Sequence, residues 1–181
     1  GYAEEVKKNV ELGIIRNHYV GRTFIEPTQQ IRSLGVKLKH SINKTLIKNK
    51  SLILIDDSIV RGTTSVKIIK MLYECGAKEV HLRIASPPIK YPDYYGVDTP
   101  NKKELLAAKF DLEGMRKFIN AKTLKFLSIE GLYKSMGYEK RNSSYPQFTD
   151  HCFTGEYPIK PIDANDENLD KNQLSYMSSK S

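Results

Sequence analysis

The sequence predicts an α/β fold built on a parallel sheet, and two observations carry that expectation. Ser51 to Ile55 is a continuous apolar run of the kind buried on both faces of a parallel sheet, and Val80, Leu82 and Ile84 alternate with His81 and Arg83 as a second strand. Between them, Val66, Ile69, Leu72 and Tyr73 recur at helical spacing over Thr64 to Cys75, with Gly76 where a helix C-terminal cap belongs. Strand, helix and strand within ~35 residues form a βαβ unit, whose right-handed crossover belongs to a parallel sheet.

The other elements follow along the chain. Ala3 to Leu12 predicts a short, weakly amphipathic helix around Val6 and Val10. Asn17 to Thr28 reads as a loop; in Gln29 to Leu38 the alternation of Val36 and Leu38 with basic neighbours suits a strand with one lysine-bearing face. After the βαβ unit, Ser86-Pro87-Pro88 stops the second strand and Tyr91 to Pro100 is a proline- and tyrosine-bearing loop. Lys102 to Ala108 begins a helix, Leu112 to Ile119 forms another, Leu124 to Leu127 is a short strand, and Ile129 to Met136 is a last helix. From Lys160 onward there is little to bury, which predicts a loosely ordered polar tail. The expected organisation is an α/β domain over 1–110, a helical extension over 111–160 packed on it, and a tail over 161–181.

Composition narrows the function classes. A chain of 181 residues can bury one substantial core, and no apolar run approaches the ~20 residues needed to cross a bilayer. No export leader is recognisable, so a soluble cytoplasmic protein with no membrane partner is expected. Cys75 and Cys152 lie far apart without a C-x-x-C pattern, which argues against a disulfide framework or a zinc site. The net charge of +8 comes from lysines spread along the chain rather than gathered with aromatics, so nucleic acid is not the expected partner and an anionic small substrate is. The chain starts at Gly1, and a piece of a longer protein is the expectation.

The chemistry concentrates in Leu52 to Thr64, where the aliphatic run ends in Asp56 and Asp57 and continues through Ser58, Ile59, Val60 and Arg61 to Gly62-Thr63-Thr64. Ligands of open α/β sheets collect at the carboxyl ends of the strands, which is where the two carboxylates fall. Adjacent carboxylates repel and raise one another's pKa unless a cation or hydroxyl donors relieve them. Gly62 allows close backbone approach, the two threonines offer hydroxyl donors, and a following helix N-terminus favours phosphate. A helix cap at Asp57 or Ser58 and a simple turn at Gly62 would explain any one of these residues, but not the whole run between a strand and a helix.

The run resembles the phosphoribosyl pyrophosphate loop of the type I phosphoribosyltransferases. With Tyr19-Val20-Gly21-Arg22-Thr23-Phe24-Ile25, Gly35-Val36-Lys37-Leu38-Lys39, Ser86-Pro87-Pro88-Ile89, Tyr95-Gly96-Val97-Asp98-Thr99-Pro100 and Cys152-Phe153-Thr154-Gly155, it is similar to the amidophosphoribosyltransferase family over residues 1 to about 160. The resemblance implies a type I phosphoribosyltransferase-like parallel sheet with flanking helices, incomplete at its N-terminal side because the family's first strands would lie before Gly1. It implies transfer of glutamine-derived ammonia to phosphoribosyl pyrophosphate, giving 5-phosphoribosylamine and diphosphate at the first step of purine synthesis. On that reading Asp56 and Asp57 bind Mg2+ and the ribose hydroxyls, residues Ser58 to Thr64 hold the 5-phosphate, and Lys39 also binds substrate. Tyr19 and Arg22 belong to a mobile catalytic loop over Arg16 to Ile25 that excludes water.

The resemblance further implies an upstream glutaminase domain as ammonia source, purine nucleotide feedback inhibitors and a homo-oligomer. Cluster-bearing members place cysteines where this chain has Asp93, Pro146 and Thr149, so no iron–sulfur cluster is expected. The chain alone is not expected to hydrolyse glutamine. Two other classes are a non-catalytic regulator that binds RNA, with affinity falling steeply in salt, and a receiver domain, which the Gly-Thr-Thr turn does not suit.

Overall fold

The computed structural model describes residues 1–16, 40–96, 99 and 101–159. In chain order these form α1 (Tyr2–Glu5), β1 (Ile14–Arg16), β2 (His40–Ile42), α2 (Lys44–Ile47), β3 (Ser51–Asp56), α3 (Thr63–Glu74), β4 (Glu79–Ile84), a short 3-10 turn (Lys102–Glu104), α4 (Leu106–Lys109), α5 (Leu112–Ile119), β5 (Thr123–Phe126), α6 (Ile129–Ser135) and α7 (His151–Thr154).

The predicted βαβ unit is present as β3-α3-β4, and β5 adds to it, giving a parallel sheet in the order β3-β4-β5. Register is continuous across it, with Ile53 opposite His81 and His81 opposite Thr123. The fold class is α/β, as expected. Helix α3 ends where its sequence said it would: Gly76 takes a left-handed φ of 89° and Ala77 N–H donates back to the Leu72 carbonyl. Asp111 caps α5 by accepting from Gly114 N–H at 2.7 Å, and Asn120 closes it at a left-handed φ of 60°.

The core lies on one face of the sheet. Val80, Leu82, Ile84 and Leu124 point into it and meet Ile69 and Leu72 of α3 and Met115 and Ile119 of α5. Residues on both sides of position 110 therefore share this core. The expectation that β3 is buried on both faces is corrected here. Ile53 and Ile55 are 44% and 48% exposed, because α3 and α5 pack together on the opposite face and theirs is only partly covered. An apolar run records strand propensity and leaves open which neighbours cover it.

Two further expectations are corrected. The N-terminal helix stops at Glu5 instead of reaching Leu12; Lys7 turns left-handed at φ 52°, and Val10 and Leu12 are 78% and 74% exposed. So short a segment does not outlast its nucleation cost without an apolar surface to pack on. The helix expected from Lys102 is broken at Leu105, whose extended ψ of 123° separates the 3-10 turn from α4.

One element pair was not foreseen. β1 and β2 form an antiparallel ribbon with Arg16 opposite His40. The strand expected over Gln29 to Leu38, and the tail from Lys160, lie outside the described residues.

Candidate functional site

Strand β3 delivers Asp56 and Asp57 to the carboxyl end of the parallel sheet, and the strand end is pinned by Ala85 N–H donating to the Asp56 carbonyl at 2.9 Å. The Asp57 N–H donates to Asp56 Oδ1 at 3.1 Å, while Asp57 Oδ1 accepts from both the N–H and the hydroxyl of Ser58. These bonds turn the chain sharply off the strand, leaving Asp56 half-buried and Asp57 exposed. Ile59 is buried in the core at 3% exposure, so its side chain anchors the loop and only its backbone is available to a ligand.

The loop then meets helix α3. Gly62 is left-handed at φ 75° and buried, and it directs the chain so that Thr63 and Thr64 open a twelve-residue helix. The N–H groups of that first turn have no partner within the helix, and the helix dipole there favours an anion. Thr63 and Thr64 add hydroxyls at the same end. Two hard carboxylates and an anion-directed helix start thus lie side by side on one short loop. That arrangement suits a phosphorylated sugar better than it suits an apolar ligand.

The underside of the loop is built by residues that no sequence motif marked. Val60 carbonyl accepts from Leu106 N–H at 2.8 Å, and Arg61 Nε donates to Glu104 Oε2 at 2.7 Å. A Cβ placed on Gly62 would lie 2.8 Å from Leu106 Cδ2 and 3.4 Å from Phe118 Cε1. The loop is therefore seated on the 3-10 turn, α4 and α5. Arg61, expected to bind substrate, has its guanidinium engaged by a carboxylate on this seat.

A second polar cluster ties the chain beyond β4 to the C-terminal described segment. Asp150, 3% exposed, accepts from Tyr133 Oη at 2.9 Å, from Arg141 Nε at 2.6 Å and from Thr154 Oγ1 at 3.2 Å. Burial pushes the Asp150 carboxyl up, but Arg141 and Tyr133 more than reverse this and hold it below the usual carboxylate range. His151 Nε2 lies 2.8 Å from Asp93 Oδ2, and Tyr157 Oη donates to the Pro92 carbonyl at 2.8 Å. Burial is the main reason the Tyr157 phenol is pushed up to about 12. Lys90 and Tyr91 N–H both donate to the Cys152 carbonyl, which ties the chain just past the 86–89 block to the 152–155 block.

Among the described residues no group of three or more His, Cys, Asp or Glu side chains is placed to hold a metal. The donor set at Asp56 and Asp57 nevertheless fits Mg2+, which takes one or two carboxylates and completes its shell with water and substrate oxygens. Tyr19, Arg22 and Lys39 lie outside the described residues. No helix of the described residues is long and apolar enough to cross a membrane.

No family model matches the chain. Amidophosphoribosyltransferase from Rhizobium etli is 59% identical over 180 residues, covering 99% of this chain and 36% of the relative. The chain belongs to the amidophosphoribosyltransferase family. Another member, the chloroplastic amidophosphoribosyltransferase 2 of Arabidopsis thaliana, is 50% identical over 163 residues, 90% of this chain and 28% of the relative. Among solved structures, the Bacillus subtilis glutamine phosphoribosylpyrophosphate amidotransferase complexed with ADP and GMP matches with a TM-score of 0.74 at 48% identity, covering 87% of this chain and 34% of that one. This chain spans about a third of the length of these family members. None of those named here is described as an RNA-binding regulator or a receiver domain, and a chloroplastic member shows that the family does not dictate one compartment.

Proposed function

We propose that this chain carries the phosphoribosyl pyrophosphate site of an amidophosphoribosyltransferase. The supporting observation is the continuous path from Asp56 and Asp57, at the end of parallel strand β3, through left-handed Gly62 into the N-terminus of α3. On this reading Ser58 to Thr64 hold the 5-phosphate through backbone N–H groups and the two threonine hydroxyls. Asp56 and Asp57 accept the ribose hydroxyls and hold Mg2+, and Lys39 also binds substrate.

The reaction is displacement at the anomeric carbon. Ammonia forms the C–N bond as the C–O bond to diphosphate breaks, the electron pair leaves with diphosphate, and ammonium-derived nitrogen sheds one proton to give 5-phosphoribosylamine. Positive charge develops on the ring in the transition state, and the two aspartates place negative charge beneath it. Bound Mg2+ supplies charge neutralisation for the departing diphosphate. Tyr19 and Arg22 serve as a lid that keeps water from competing with ammonia.

The ammonia source is a glutaminase domain of the same protein, feedback comes from purine nucleotides, and the protein works as a homo-oligomer in a reducing, cytoplasm-like compartment. ADP and GMP in the Bacillus subtilis complex support nucleotide control. The test is diphosphate release from phosphoribosyl pyrophosphate with ammonium as nitrogen donor, measured on the protein at the full length of its relatives. The expected result is Mg2+-dependent release that falls at least ~100-fold in Asp56→Asn, as loss of preorganised transition-state charge implies. Release unchanged in that variant would defeat the proposal.

A further inference from the structure

Arg61 is the only Lys or Arg between Asp56 and Thr64, and a phosphate loop would be expected to aim it at the ligand. Its Nε instead donates to Glu104 Oε2 at 2.7 Å, across 43 residues of chain. Val60 on one side is bonded through its carbonyl to Leu106 N–H at 2.8 Å, and Gly62 on the other lies against Leu106, with only a hydrogen's room where a Cβ would stand. Three consecutive loop residues are thus hung on one short segment, 104–106.

We propose that Glu104 is a positioning residue of the phosphoribosyl loop. It holds Arg61 against the 102–106 segment and away from the ligand, and this brace presets the N–H groups leading into α3 for a phosphate. The inference rests on the functional reading above for the identity of the ligand, and on the geometry alone for the brace. Both side chains of the pair are about half exposed, 48% and 52%, so the brace can be altered without opening the core. A half-exposed pair is a modest tether, and the expected effect is correspondingly modest, since apparent affinity falls by the fraction of loops that lose the binding shape.

Calorimetric titration of the chain with phosphoribosyl pyrophosphate and Mg2+ tests this, using Arg61→Gln, Glu104→Gln, the double variant, and the swapped pair Arg61→Glu with Glu104→Arg. Each single variant is expected to weaken binding about two- to fivefold, as an exposed ion pair allows. The double variant should bind no more weakly than either single one, and the swap should recover most of the loss, which a direct contact of Arg61 with the ligand would not predict. Without ligand, amide exchange at Leu106 and over 58–64 should quicken in Glu104→Gln. The proposal is overturned if Glu104→Gln binds as tightly as the unvaried chain or tighter while Arg61→Gln loses far more, for then Arg61 meets the ligand and Glu104 competes for it. Should the unvaried chain not bind the ligand at all, the functional reading fails. The brace is then decided by exchange alone, and unchanged exchange in Glu104→Gln overturns it.

Discussion

Replacing Gly62 by alanine separates the loop's backbone requirement from its packing requirement. At φ 75° an L-residue meets its own carbonyl, which costs about 1–2 kcal/mol. The new methyl would also stand 2.8 Å from Leu106 Cδ2 and 3.4 Å from Phe118 Cε1. Leu106 is 2% exposed and has no open space to turn into, so repacking adds about 1–3 kcal/mol. Gly137 is the control: its φ is 87°, but nothing lies within 4 Å of its Cβ position, so alanine there incurs the backbone part alone. Urea unfolding at pH 7 should therefore give Gly62→Ala a loss of about 2–5 kcal/mol and Gly137→Ala about 1–2 kcal/mol, with similar m-values. Losses equal within about 0.5 kcal/mol would refute the claim that the loop is seated on Leu106 and Phe118.

Other outcomes follow from the polar cluster. Arg141→Met leaves Asp150 buried without its cation and should cost about 3–5 kcal/mol at pH 7. Because the folded carboxyl lies below its usual value, its stabilisation is present above about pH 3.9 and is lost as pH falls through the folded value. That acid-limb loss should shrink in Arg141→Met when stability is followed against pH. Tyr157 behaves in the opposite sense: with its phenol raised to about 12, its stabilisation is present below the ordinary tyrosine value of about 10 and is lost as pH rises toward 12. Tyr157→Phe should cost about 0.5–1.5 kcal/mol at pH 8 through the bond to Pro92. It should also flatten the stability decline above pH 10 in an alkaline denaturation series.

The βαβ unit was legible because its signals are local. Val66, Ile69 and Leu72 declare a helix by spacing, and Gly76 declares its end, without reference to any distant residue. Asp56 and Asp57 were legible for the same reason, since a strand places its own last residues at the carboxyl edge. What the sequence hid depends on pairing between distant segments. The bond from Arg61 to Glu104 needs a loop closed over 43 residues, and Glu104 sits in a Lys-Lys-Glu turn that carries no pattern of its own. The ribbon of β1 and β2 has strands of three residues, too short to show a period. The open face at Ile53 and Ile55 was misjudged because a strand's apolarity tells what it can bury and leaves unstated what packs on it.

The account stands on Asp56 and Asp57 holding a metal-bound phosphoribosyl ligand, and one titration addresses this directly. The chain and its Asp57→Asn variant are each titrated with phosphoribosyl pyrophosphate by calorimetry, with Mg2+ and after its removal by a chelator. The account predicts that the unvaried chain binds only with Mg2+ and that the variant binds at least ~10-fold more weakly, about 1.4 kcal/mol. Equal affinity in chain and variant, or binding indifferent to Mg2+, would contradict it.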